Sequence, residues 1–98
     1  MKLKVFCDIK DAMEDADFYL YKRGNTDSLG KPLEKKSVGD NIENKIGIKV
    51  KQEFLDRVYP DFLFYLMMNI YNSGYWKSRQ YGSVIMHIRT EDVKNLEM

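Results

Sequence analysis

Residues 60–74 read PDFLFYLMMNIYNSG, and no charged side chain falls between Asp61 and Lys77. Phe62, Leu63, Phe64, Leu66, Met67, Met68, Ile70 and Tyr71 leave little polar surface at any angle around a helix, so a helix here is expected to be buried on most sides. Pro60 suits a first helical turn and Asp61 is favourable beside a helix N-terminus. Asn72-Ser73-Gly74 supplies the stop, with Gly74 as the left-handed cap. The expectation is a buried helix over about 60–72, with Phe62, Leu63, Leu66, Met67 and Ile70 setting the stability of the core.

Strand periodicity surrounds that segment. Residues 3–9 alternate, with Leu3, Val5, Cys7 and Ile9 facing one way and Lys4, Phe6 and Asp8 the other. Residues 17–23 alternate through Phe18 and Leu20, and residues 45–51, KIGIKVK, through Ile46, Ile48 and Val50. Residues 10–16 read as a short helix or turn. Residues 24–44 hold three glycines and one proline among many turn formers and read as a long, mostly irregular loop, a feature that is often functional. A second short helix fits residues 75–81 and a strand fits 83–88. Thr90 then caps a last short helix with Glu91 and Asp92 in its first turn. This order predicts an α+β fold: a small mixed sheet, a buried helix at about 60–72, and one or two shorter helices.

A length of 98 residues predicts one domain, 1–98. The single cysteine, Cys7, excludes an internal disulfide, fits a reducing compartment and sits on an apolar strand face as a core residue. The opening MKLKVFCDIKDAMEDAD is too charged for a signal peptide, and no apolar run approaches the ~18 residues of a membrane span. A soluble, cytoplasmic protein without a membrane partner is expected. The net charge of +1 gives no global steering toward nucleic acid, so any electrostatic attraction has to be local.

Local asymmetry is present. Residues 8–17 carry Asp8, Asp11, Glu14, Asp15 and Asp17 against Lys10, whereas residues 62–90 contain no acid. In that acid-free half Lys77, Arg79, His87 and Arg89 interleave with Tyr75, Trp76 and Tyr81. Cations among aromatic planes match the needs of nucleic acid, charge for phosphates and planes and donors for bases. The competing reading is a solvated face beside a partly buried Trp76. Enzymatic signatures are sparse: there is no glycine-rich phosphate loop, no Cys-His pair at metal spacing and no nucleophile elbow. Glu43-Asn44-Lys45 has the acid-x-Lys spacing of two-metal nucleases, with Asp17 or Asp40 upstream. No catalytic residue, metal or cofactor is expected otherwise.

The C-terminal half, IGIKV followed by YPDFLFYLMMNIYNSGYWKSRQYGSVIMHIRTEDVKNLEM, resembles the target recognition domain of type I restriction-modification specificity subunits. Pro60, Phe62, Leu63, Phe64, Tyr65 and Leu66 stand where that family has its aromatic helix. Gly82 and Ser83 match its Gly-Ser turn, His87-Ile88 its strand end, and Asp92, Val93 and Leu96 its closing helix. Arg23, Gly24, Leu29, Gly30 and Lys31 are similar to the family's Arg-Gly…Gly-Lys loop, lengthened here by Asn25-Thr26-Asp27. The likeness covers about residues 17–98. The family's subunit carries two such domains joined by long helices, and this chain has neither the second domain nor the spacer. The resemblance therefore implies a reduced, free-standing relative, encoded by a phage or mobile element.

What it implies is a small non-catalytic module that binds double-stranded DNA. Phosphates would be met by Arg23, Lys31, Lys35, Lys77, Arg79 and Arg89, and Ser83 can bond a phosphate or a base edge. Bases would be met by Asn25, Thr26, Ser28, Gln80 and Tyr81. So few phosphate contacts bind weakly, which favours a homodimer. Two rivals stand beside this reading: a protein-binding inhibitor of a host defence or replication complex, to which the near-neutral charge and acidic N-terminal stretch are suited, and a small metal-dependent nuclease.

Overall fold

The computed structural model describes residues 1–82 and 85–98. In chain order the elements are β1 (Cys7–Asp11), β2 (Phe18–Tyr21), β3 (Arg23–Gly24), β4 (Pro32–Glu34), α1 (Lys35–Val38), β5 (Lys45–Val50), α2 (Pro60–Asn72), β6 (Met86–His87) and α3 (Thr90–Lys94). Single 3₁₀ turns lie at Leu3–Val5, Gln52–Phe54 and Trp76–Ser78. The fold is α+β.

β5 organises the molecule. Its alternation turns Ile46, Ile48 and Val50 to one side and Lys45, Gly47 and Lys49 to the other, and it is one of the two inner strands of an antiparallel sheet ordered β1-β5-β2-β4. Ile48 is paired with Ile9 on one flank and Phe18 on the other, and Ile46 with Asp11 and Leu20, so one face of the sheet is an apolar floor. Leu63 and Met67 of α2, Val93 of α3, Trp76, Ile88 and Leu96 are buried with that floor in one core. A fully buried aliphatic side chain such as Ile48 contributes about 1.5–3 kcal/mol.

The second face is also covered. Tyr19 stands opposite Gly47 across the β2–β5 pair. A Cβ on Gly47 would come 2.4 Å from Cβ of Met13, so the glycine allows the segment after β1 to lie flat on the sheet. The Tyr19 hydroxyl donates to the Met13 carbonyl at 2.6 Å, and Met13, Ala16, Tyr19 and Val38 are buried together there.

Several expectations are corrected. Residues 3–5 form a 3₁₀ turn, not a strand: the Leu3 amide is drawn to the Leu96 carbonyl at 2.8 Å, the register slips, Phe6 turns inward and Val5 is 42% exposed. Of residues 10–16, expected as a short helix or turn, 10–11 instead end β1, while the rest is turns as expected, with Ala12 at φ 49. The segment 24–44 contains β3, β4 and α1. Residues 75–81 make only the 3₁₀ turn, and the described part of the strand expected at 83–88 is Met86–His87, Ser83 and Val84 lying outside the described residues. Thr90 is the first residue of α3, not its cap, and its hydroxyl donates to the Asp11 carboxylate.

The largest correction concerns α2. The helix spans Pro60–Asn72, and Gly74 at φ +82 ends it with its amide on the Tyr71 carbonyl at 3.1 Å. Leu63 and Met67 are buried and Leu66 and Ile70 half-buried, but Phe62 is 61% and Tyr65 67% exposed. A helix laid on a single sheet buries one stripe, and here nothing covers the outer side among the described residues. No helix among them is long and apolar enough to cross a membrane.

Candidate nucleic-acid interface

β3 and β6 form a two-stranded ribbon apart from the main sheet, with Arg23 opposite His87. Tyr81 pairs with the other side of His87, the two exchanging backbone hydrogen bonds of 2.8 Å each. Gly82 permits this return: its φ is +112, and a Cβ would stand 2.4 Å from the Ile85 carbonyl oxygen. Residues directly opposite across paired strands project from the same face. Arg23, His87 and Tyr81 therefore form one row. Arg89 completes it, with its guanidinium 3.6 Å from the centre of the Tyr81 ring.

The loop after β3 is brought against residues 71–80. Asn25 closes it locally, its side-chain oxygen accepting the Asp27 amide at 2.9 Å. Gln80 Nε2 donates to the Thr26 carbonyl at 2.9 Å, the Tyr71 hydroxyl donates to the Asp27 carbonyl, and Lys77 Nζ lies 3.5 Å from the Asp27 carboxylate. Leu29 is buried beneath, and Gly30 at φ +81 lies against the Trp76 ring so closely that a Cβ would fall 1.9 Å from Cδ1. The sequence-distant halves of the expected site, 23–31 and 75–89, thus meet at one end of the molecule.

The individual residues divide by what already occupies them. Arg23 and Arg89 are exposed and, among the described residues, form no ion pair. Arg79 is also without one, but its guanidinium lies 3.7 Å from the Tyr75 ring centre and donates to the Tyr75 carbonyl at 3.1 Å. Asn25 and Gln80 use polar groups to hold the loop. Thr26 and Lys31 are exposed and Ser28 half-buried on that loop. Lys35 is not part of the cluster: it opens α1 at the other end of β4, lining a cavity of about 460 Å³ with Phe18, Pro60 and Tyr65. Ser83 lies outside the described residues. His87 is a half-buried strand residue that stands between Arg23 and Tyr81 in the row. Tyr75 as a platform for Arg79 was legible only as part of an aromatic cluster.

Elsewhere the chemistry is quiet. Burial pushes the Cys7 thiol up to about 12, with the negative charges of Asp17 and Asp8 adding to the effect, so it stays protonated. Burial would raise the Asp11 carboxyl, but hydrogen bonds from Lys22 and Thr90, with the Lys22 charge, outweigh it and hold the group below its ordinary value. Asp17 accepts the Val50 amide at 2.9 Å, at the opposite end of β5 from Lys45 and roughly 16 Å away along the strand. Among the described residues no three metal-ligating side chains converge. No protein family, curated protein or solved structure matches this chain.

Proposed function

We propose that the chain is a small non-catalytic DNA-binding module, a reduced relative of restriction target recognition domains, that grips the duplex backbone through the row Arg23–His87–Tyr81–Arg89. One observation carries the reading: two exposed arginines, without carboxylate partners among the described residues, are held on one ribbon face with an aromatic ring and an imidazole. A guanidinium presents paired N–H donors that match two phosphate oxygens, and the Tyr81 ring holds Arg89 in place before the ligand arrives. Lys77 can join, because its exposed pair with Asp27 is worth at most about 1 kcal/mol. Thr26, Ser28 and Tyr81 are the side chains near this row suited to reading base edges.

The test is retention of random duplex pools at two salt concentrations. Sequence enrichment is expected, with binding that weakens as salt rises. Arg23→Ala with Arg89→Ala should lower the log-log salt slope by about two, roughly one per phosphate contact removed. No retention by the unaltered protein at either salt rejects the proposal. Plasmid cut in the presence of Mg²⁺, and left whole by Glu43→Gln, would reject its non-catalytic half.

A second reading has its own observation. Tyr59, Phe62 and Tyr65, three residues apart along the start of α2, are 65%, 61% and 67% exposed. Exposed aromatic rings on an almost uncharged helix suit a protein partner, host or phage, better than a phosphate backbone. Phe62→Ala separates the two: it should leave DNA retention unchanged and weaken capture of a protein partner.

A further inference from the structure

The outer strands of the main sheet are β4 and β1. β4 is three residues long, begins with a proline that lacks an amide hydrogen, and runs directly into α1. β1 is five residues long and carries no proline, and α3 packs against it at its Asp11 end, where the Thr90 hydroxyl donates to the Asp11 carboxylate. The Lys51 amide donates to the Phe6 carbonyl at 2.9 Å and the Ala12 amide to the Lys45 carbonyl at 3.0 Å, which sets the phase of the strand. Phe6, Asp8, Lys10 and Ala12 turn their backbone groups to β5, and Cys7, Ile9 and Asp11 turn theirs outward. Among the described residues those outward groups have no backbone partner. A groove of about 590 Å³ runs beside this edge, with Asp15 and Lys49 among its lining residues from one side and Lys94 of α3 from the other.

We propose that β1 pairs with β1 of a second copy of this chain, antiparallel, with Ile9 on the two-fold axis. The sequence Cys7-Asp8-Ile9-Lys10-Asp11 is self-complementary in that register. Ile9 meets Ile9, and Cys7 meets Asp11 twice. All three pairings involve residues whose backbone groups point outward, so the phase set by β5 allows about six new hydrogen bonds, two per pair. Between them Asp8 of one copy stands opposite Lys10 of the other, and the reverse. These are the closer, non-hydrogen-bonded pairs, in which side chains interact most directly. Asp8 and Lys10 are both exposed in the single chain. Lys49 already faces Asp8 across β5, so charge would alternate along the row Lys49, Asp8, Lys10 of the second copy. Every other antiparallel register that keeps the outward phase loses both of the Asp8–Lys10 pairs. The product is an isologous dimer with a continuous eight-stranded sheet, two copies of the order β4-β2-β5-β1 joined edge to edge.

The experiment is sedimentation velocity on the full chain, with circular dichroism to verify that each variant is folded. The unaltered protein should sediment as a dimer at high concentration. Lys10→Asp alone places acid against acid, Asp8→Lys alone places base against base, and each should lose the dimer. The double variant, Asp8→Lys with Lys10→Asp, restores opposite charges and should regain it. A protein that is monomeric at every concentration overturns the proposal. So do dimers that survive both single reversals, dimers that the double variant fails to restore, and dimers removed by Phe62→Glu, which would put the interface on α2.

Discussion

The floor of the sheet and the end that carries Arg23, Tyr81 and Arg89 are held together differently. Ile46, Ile48, Phe18, Leu20, Leu63 and Met67 are all at most 2% exposed and need nothing from one another except shape. The arginine end is tied by single polar contacts between distant segments: Gln80 to the Thr26 carbonyl, Tyr71 to the Asp27 carbonyl, Lys77 to the Asp27 carboxylate. Leu29, Trp76 and Ile88 anchor it in the core. A region built on apolar burial is costly to alter and slow to open. One built on exposed hydrogen bonds opens at lower free energy and is the place where a ligand can still reshape the protein.

The largest effect should come from the floor. Ile48→Ala removes buried methylenes between β1 and β2 and should cost ~2–5 kcal/mol in chemical denaturation. Phe62→Ala, on the outer side of α2, should stay within about 0.5 kcal/mol of the parent despite deleting a larger side chain. Equal losses for the two would mean that α2 is covered on both sides and that the contrast is misplaced.

Next comes the anchor between the two regions. Gly30→Ala drives a Cβ into the Trp76 ring and asks alanine to adopt φ +81. Overpacking of this kind costs ~1–3 kcal/mol. Trp76 is the only tryptophan, so its fluorescence reports the local repacking directly, and a parent-like spectrum with a parent-like melting curve would show that the loop is not seated on the indole.

Smaller again is the brace. Gln80→Ala should cost ~0.5–1.5 kcal/mol. Hydrogen exchange should accelerate at amides of residues 26–31 and stay unchanged in β5. Acceleration throughout would mean the two regions unfold as one.

These differences explain what could be read from the chain. β5 was legible because Ile46, Ile48 and Val50 alternate with Lys45, Gly47 and Lys49, and a strand buried chiefly on one side leaves that pattern. α2 was legible as a helix from Pro60 to Gly74, but its burial was not, since an apolar composition does not say how many layers a fold has. Leu3 and Val5 misled because the pull of Leu96, more than ninety residues away, decides their conformation. The arginine row was visible as composition only. Its geometry depends on His87 pairing with Arg23 on one side and Tyr81 on the other, and local periodicity carries no information about which strands meet.

The last effect is the smallest and lies where the two regions join. Asp11 ends β1, and its carboxylate receives the Lys22 ammonium and the Thr90 hydroxyl, linking the sheet to the start of the ribbon and to α3. Its pKa is lowered in the folded protein. The folded state therefore binds this proton more weakly than the unfolded chain, for which a carboxyl near ~3.9 is ordinary. Stability from the contact is fully present above that value and is lost as pH falls through the lower folded value. The side chain is 52% exposed, so solvent screens the pair, and at neutral pH it should contribute no more than about 1 kcal/mol. Asp11→Asn keeps an acceptor for Thr90 but removes the charge. Its denaturation midpoint should fall slightly below the parent's at neutral pH, and the two curves should converge as both are acidified past the carboxylate range. A gap that widens in acid would mean that the Asp11 charge opposes folding, and the joint between floor and ribbon would have to lie elsewhere.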